Sequence, residues 1–329
     1  MANPAAVDRL MSVDSARERR HTTAGGFAHA ALVYRGRDEY VGQVTGFVRD
    51  ALAAGEPALV AVPDDHLDLV RGALNGVGHR VTFADMAIAG RNPGRIIPGV
   101  LLDFADRHQG RRVSIVGEPV WPGRNAAEYP ACVLHEALIN GAFAGRDASI
   151  LCPYDADGLD DAALADALRT HPVVTEAGES RRSLRYAGFA DAAAAFNRPL
   201  PPPPPGAATM GFATGAEMSE VRRMVTAHAR AAGLATDRVA DLTFAVNEVV
   251  TNTVEHSGGP GRVTLWTEPT GPVCQVDDGG HLADPLAGRV PPDGESLGGR
   301  GLVTVNHLCD LVLVHTEPGH TSIRLYAYR

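Results

Sequence analysis

Residues 247–259 read NEVVTNTVEHSGG. Upstream and through this stretch, Val239, Leu242, Val246, Val249 and Thr253 recur at intervals of three, four and seven residues and predict one helix with an apolar stripe against a core. Glu248, Asn252 and His256 follow at i, i+4 and i+8. Helix geometry sets this second stripe about 60° from the first. A solvated face normally lies opposite the core stripe, whereas polar residues beside it stand at the edge of a core, where a helix borders a pocket. The competing reading is an ordinary amphipathic helix with polar flanks.

Around this helix the chain changes character. SEVRRMVTAHARAAG predicts a preceding helix ended by Gly233, and Thr236 or Asp237 is placed to cap the next. RVTLWTE, PVCQVDD, LVLVHTE and TSIRLYAY predict strands, with the helical pattern GLVTVNHLCD between the second and third. Helices stacked on one face of a mixed or antiparallel sheet form an α+β sandwich. Two glycine-bearing pieces, VDDGGH at 276–281 and LGGRGLVTVN at 297–306, complete the pattern. Alone, each reads as a turn.

Taken in this order, residues 211–329 resemble the GHKL ATPase superfamily with its Bergerat fold, and most of all the anti-sigma serine kinases of the RsbW/SpoIIAB type. ExxxNxxxH at Glu248, Asn252 and His256, DxG at Asp278 and Gly280, and the glycine motif at Gly299, Arg300 and Gly301 carry the resemblance. It implies ATP and Mg²⁺ as cofactors. Mg²⁺ takes oxygen ligands, which suits the Asn252 amide, and Glu248 one turn earlier suits a general base. By the resemblance, Asp278 accepts a hydrogen bond from the adenine amino group, although Asp277 with Gly279 satisfies the same pattern. Gly299 and Gly301 let backbone N–H groups approach phosphates at a helix N-terminus, with Arg300 either joining them or solvated. Residues 281–298 would form a mobile lid over the nucleotide.

NRPLPPPPPGAA at 197–208 divides the chain. Proline locks φ and removes N–H donors, so this run predicts an extended spacer. Before it, the apolar runs AHAALVY, PALVAV, RRVSIVGE and ASILCPYD alternate with helical patterns including YPACVLHEALINGAF, which predicts a mainly parallel α/β sheet over 24–178. A polar arm at 1–23 precedes it and a helical Ala-rich connector at 179–196 follows. Residues 24–178 resemble the MEDS sensory domain, named for methanogen, methylotroph and DcmR proteins, through FAHAALVYRGRDEY, GEPVW, LHEALIN and ILCPYD. The resemblance implies a RecA-like sheet without a phosphate loop, and PALVAV running into PDDH has no glycine cradle. His29, Glu118, Trp121, Glu136 and Tyr154 are candidate lining for a sensory pocket holding an unidentified small molecule. A metal site built from His29, His135 and nearby carboxylates stays open as an alternative, although the spacing does not call for one.

Bulk properties narrow the functions. At 329 residues and 34.6 kDa, two domains are the expectation. A net charge of -9 argues against a nucleic-acid surface and for a protein partner. All 30 basic residues are arginine, so any nucleotide site must work without the phosphate-loop lysine. Four cysteines without metal spacing read as buried thiols. Without an apolar run of about 18 residues or a signal-like N-terminus, the protein is expected in the cytoplasm and off the membrane.

The resemblance then implies an ATP-dependent protein serine/threonine kinase, governed by its sensory half. Its partner would be an anti-sigma-factor antagonist or a sigma factor, and a homodimer is implied by the resemblance alone. A sensor histidine kinase and a non-catalytic nucleotide-dependent binding protein remain the alternatives. The first would need a phospho-accepting helical hairpin before the ATPase domain, where only one short helix bearing His228 stands.

Overall fold

The computed structural model describes residues 26–291 and 299–329. The expected arm at 1–23 and residues 292–298 of the expected lid lie outside them. The chain forms two compact units, the first comprising residues 26–84, 107–122 and 143–188 and the second 85–106, 123–142 and 189–329. Among the described residues no helix is long and apolar enough to cross a membrane.

The first unit is built on seven strands, β1 (Ala28–Tyr34), β2 (Ala58–Val62), β3 (Val81–Asp85), β4 (Val113–Gly117), β5 (Ala148–Asp155), β6 (Val173–Glu176) and β7 (Glu179–Arg182). Their order is β3-β2-β4-β5-β1-β6-β7, and β2, β4, β5, β1 and β6 run parallel. Helices α1 (Gly36–Ala53) and α2 (Asp64–Ala73) follow β1 and β2 after one residue each, Arg35 and Pro63. Neither turn has the length of a phosphate-cradling loop. Tyr40, Val44, Val48 and Leu52 of α1 bury against Val60, Val62, Val116 and Leu151 of the sheet.

Two expectations fail here. Residues 179–182 form strand β7 rather than the start of a helical connector, and the turn Ala177–Gly178, both with positive φ, joins it to β6 as a tight hairpin. The boundary at 178 therefore cuts a hairpin. Nor do residues 24–178 form one body: α3 (Met86–Ala89), α4 (Asp103–Asp106) and α5 (Tyr129–Ala142) group with the C-terminal half. After α6 (Asp161–Thr170) the connector carries helix α7 (Phe189–Phe196).

In the second unit, β8 (Ala208–Phe212), β9 (Gly261–Glu268), β10 (Gly271–Asp278), β11 (Leu311–Glu317) and β12 (His320–Tyr326) form an antiparallel sheet of order β11-β12-β10-β9-β8. Helices α8 (Met218–Ala231), α9 (Thr236–Asn252) and α10 (Gly301–Leu308) cover one face. Their Val221, Val225, Leu242, Val246, Val249 and Val305 share a core with Val263, Leu265, Val276, Ile323 and Leu325. Gly233, at φ 81°, ends α8 in the left-handed conformation. Neither Thr236 nor Asp237 caps α9, because Ala235 occupies that position.

The sheet's other face is also covered, by a layer that the helix and strand patterns did not predict. Ala131 of α5 buries with Trp266, Val273, Leu311 and Tyr326. The proline run lies here too: Arg324 donates to the Pro201 carbonyl, and Asn197 exchanges hydrogen bonds with the Thr316 backbone. It is a strap tied to the sheet at Asn197 and Pro201, with Pro202, Pro204 and Pro205 exposed.

Candidate functional site

Val239, Leu242, Val246, Val249 and Thr253 are all buried, and the polar stripe runs beside them as helix geometry requires. Glu248 and Asn252 are half-buried and His256 is exposed. Past Asn252 the helix widens into a π-helical turn, Thr253–Ser257, ended by Gly258 at φ 69°. Such turns re-aim side chains near sites.

A pocket of about 220 Å³ opens along this edge, lined among others by Asn252, His256, Asp278, Gly280, Gly299 and Gly301. Val249, Leu282, Leu302 and Ile323 supply apolar wall. Glu248 stands beside it: a Cβ added at Gly301 would come 3.0 Å from Glu248 Oε2 and 3.6 Å from Asn252. Gly301 opens α10, so this helix N-terminus meets the Glu248–Asn252 turn closely, and a larger residue would crowd both. Arg300, next to it, is exposed.

The two aspartates of VDDGGH point apart, as successive strand residues must. Asp277 accepts from Gln275 Nε2 at 2.7 Å and Ser322 Oγ at 2.5 Å. Asp278 faces the pocket, accepting from Thr253 Oγ1 at 2.6 Å and from the Gly280 N–H at 2.7 Å. A carboxylate has about four acceptor positions, so Asp278 retains capacity toward the pocket. A Cβ at Gly280 would meet Asp278 Oδ1 at 2.9 Å and Ser257 at 3.1 Å, so the approach here is open only to glycine.

Residues 212–327 match the family of histidine kinase-like ATPase domains, and residues 28–172 match MEDS, the methanogen/methylotroph, DcmR sensory domain. The chain is a MEDS domain followed by a histidine-kinase-like ATPase domain. Comparison with curated proteins returns no match.

The far end of α10 in the ATPase domain is held by a segment from the MEDS match. Asn92 Nδ2 donates to the Asn306 carbonyl at 2.8 Å, and Asn306 Nδ2 donates to the Gly288 carbonyl at 3.1 Å. Gly94 packs so near that a Cβ would fall 1.9 Å from Asn306 Oδ1. Asp310 receives both Arg91 at 2.6 Å and Arg238 at 2.5 Å. Arg289, between Gly288 and the strap, is buried, and burial pulls its pKa down to about 10.

Of the MEDS candidates, His29 and Tyr154 both stand against the His171 ring, with centroids 4.1 and 5.5 Å away. Glu118, buried just past β4, accepts from the Tyr40 hydroxyl at 3.0 Å and from His66 Nδ1 at 2.9 Å. Burial raises the Glu118 pKa, against the pull of His66 and Tyr40. Burial alone would lower His66, yet its hydrogen bond to Glu118 and that group's charge outweigh burial, and its pKa is raised. His29 and Tyr154 are buried on β1 and β5, Trp121 is half-buried beyond β4, and Glu136 is buried on α5 in the second unit. Tyr40 and His66 were missed by sequence reasoning, and nothing in their local pattern separates them from core and helix-surface residues. A distinct cavity of about 500 Å³ lies on the α1 side of the sheet, lined by Ala30, Gln43, Gly46, Phe47, Asp50 and Thr175 among others.

Proposed function

We propose that the chain is an ATP-dependent protein serine/threonine kinase of the anti-sigma type, set by its MEDS half. The observation that carries this reading is the convergence of Glu248, Asn252 and the Gly301 end of α10 on a pocket whose inner wall holds Asp278. Glycine at 280 and 301, an inward carboxylate and an apolar wall fit a purine nucleotide held without lysine. ATP supplies the transferable phosphoryl group, and Mg²⁺ neutralises its charge. Asp278 reads the base edge, Asn252 offers its amide oxygen to the metal, and Glu248 takes the proton from an attacking hydroxyl. The partner carries that hydroxyl, an anti-sigma-factor antagonist being the expected substrate and a sigma factor the alternative target.

The contact of Asn92 and Gly94 with Asn306 supports control by the MEDS half, because it bears on the helix whose first residue borders the phosphate side. The histidine-kinase reading is weakened by His228. Its Nε2 lies 2.8 Å from the Trp266 carbonyl, an acceptor only, so that nitrogen carries a proton and is engaged.

Incubation with γ-labelled ATP, Mg²⁺ and extract of the source cells tests the reading. Acid-stable label on a partner, lost in Glu248→Ala, is the expected result. Acid-labile label on the chain itself would make it a histidine kinase. Cellular regulation that survives Glu248→Ala would make it a binding protein.

A further inference from the structure

Three side chains that no part of the nucleotide reading uses meet inside the first unit. His29 lies on β1 and Cys152 on β5, in adjacent parallel strands whose register sets Ala31 opposite Cys152. Residues two apart on a strand share a face, so His29 and Cys152 are diagonal neighbours on the same side of the sheet. His29 Nε2 is 3.4 Å from Cys152 Sγ. His171, where α6 gives way to β6, brings its ring centroid to 4.1 Å from that of His29. Ligating atoms of the three lie within 4.8 Å of one another, and all three residues are at most 1% exposed.

We propose that His29, Cys152 and His171 bind one transition-metal ion of the Zn²⁺ class. Two imidazoles and a thiolate are the donor set that borderline divalent ions take, and oxygen-seeking Mg²⁺ or Ca²⁺ do not. The tautomer of His171 agrees. Its Nδ1 is 2.9 Å from the Ala167 carbonyl, which can only accept, so the proton sits on Nδ1 and Nε2 keeps its lone pair. A backbone carbonyl on the far nitrogen is the usual support of a metal-bound histidine. Tyr154 stands edge-on to the same ring, centroids 5.5 Å apart at 86°, and fixes its plane.

A hydrogen bond between His29 and the Cys152 thiol accounts for that pair alone. On binding, Cys152 gives its proton to solvent and ligates as thiolate. The site is independent of the nucleotide pocket, so its failure would leave the kinase reading untouched.

The test uses the full chain purified without chelator. Elemental analysis should find about one zinc per chain. After stripping, titration with Co²⁺ should produce thiolate-to-cobalt charge-transfer absorption, absent in Cys152→Ser and retained in Cys274→Ser. His171→Gln should weaken Co²⁺ binding by roughly 10-fold to 100-fold or more. Absence of both zinc and the cobalt absorption in the unaltered chain would overturn the proposal, and so would absorption that survives Cys152→Ser. The unaltered chain alone can overturn it, so misfolding of a variant does not shelter the proposal.

Discussion

The polar residues of the two units are organised in opposite ways. In the ATPase domain, Glu248, Asn252 and His256 come from one helix and stay half-open beside a pocket, while Asp278 is braced by Thr253 and Gly280 with acceptor capacity to spare. In the first unit, Tyr40, His66 and Glu118 come from three distant segments, and Glu118 is buried with its oxygens turned to Tyr40 and His66 rather than to an open pocket. The open arrangement keeps donors and acceptors for a ligand. The closed one spends them on the fold, where a buried charge must be answered by neighbours. Substitutions should therefore act on turnover and binding in one region and on stability in the other.

The largest effect is expected from Glu248→Gln. Loss of a general base costs roughly 10²- to 10⁴-fold in phosphoryl transfer, and nucleotide affinity and melting temperature should barely move. A matching loss of affinity would mean that Glu248 holds the nucleotide rather than the proton. Asn252→Ala should cut Mg²⁺-dependent ATP affinity by at least about 100-fold, the upper end of what losing a supporting metal contact costs. Unchanged calorimetric affinity would remove the nucleotide site from this helix.

Next comes the pair of aspartates. Asp278→Asn should reduce discrimination of ATP over GTP by about 10-fold, the worth of one hydrogen bond to a charged group. Asp277→Asn should leave nucleotide selectivity alone and lower stability instead, since its partners are Gln275 and Ser322. The reverse result would exchange their roles.

These cases also mark how far the sequence could be read. The stripe on α9 was legible because spacings of four residues map directly onto a helix face, and the strands RVTLWTE and PVCQVDD because they are short segments rich in β-branched, aromatic and other apolar residues bounded by turn signals. Asp277 and Asp278 could not be told apart, since consecutive strand residues face opposite ways and only the pairing with β9 and β12 says which face is which. The β6–β7 hairpin escaped because ESRR carries no apolar alternation, its strand character coming entirely from its partner. Segment 85–106 read as part of the sensory half, yet Asn92, Gly94 and Arg91 make their contacts more than 200 residues further along the chain. Spacing cannot announce such meetings, and the same holds for His29, Cys152 and His171.

Within the closed cluster, Tyr40→Phe should cost about 1–3 kcal/mol, because Glu118 loses a buried donor. Denaturant unfolding measures it, and an unaffected midpoint would mean that the cluster is slack enough to serve a ligand after all.

The subtlest effect is on pH. His66 binds its proton more tightly when folded than the unfolded chain does, whose histidine pKa is about 6.5. Its contribution to stability is thus fully present below that value and is lost as pH rises through the raised folded pKa. Glu118, also raised, acts in the same direction from its own unfolded value of about 4.3 upward, because the folded state keeps a proton that the unfolded chain releases. The protein should therefore lose stability as pH rises above about 6.5 into the range of the raised His66 pKa, and His66→Gln should flatten that loss. Equal slopes in the two proteins would mean that the proton between His66 and Glu118 is not held more tightly by folding, and that the pair belongs with the open, ligand-ready groups instead.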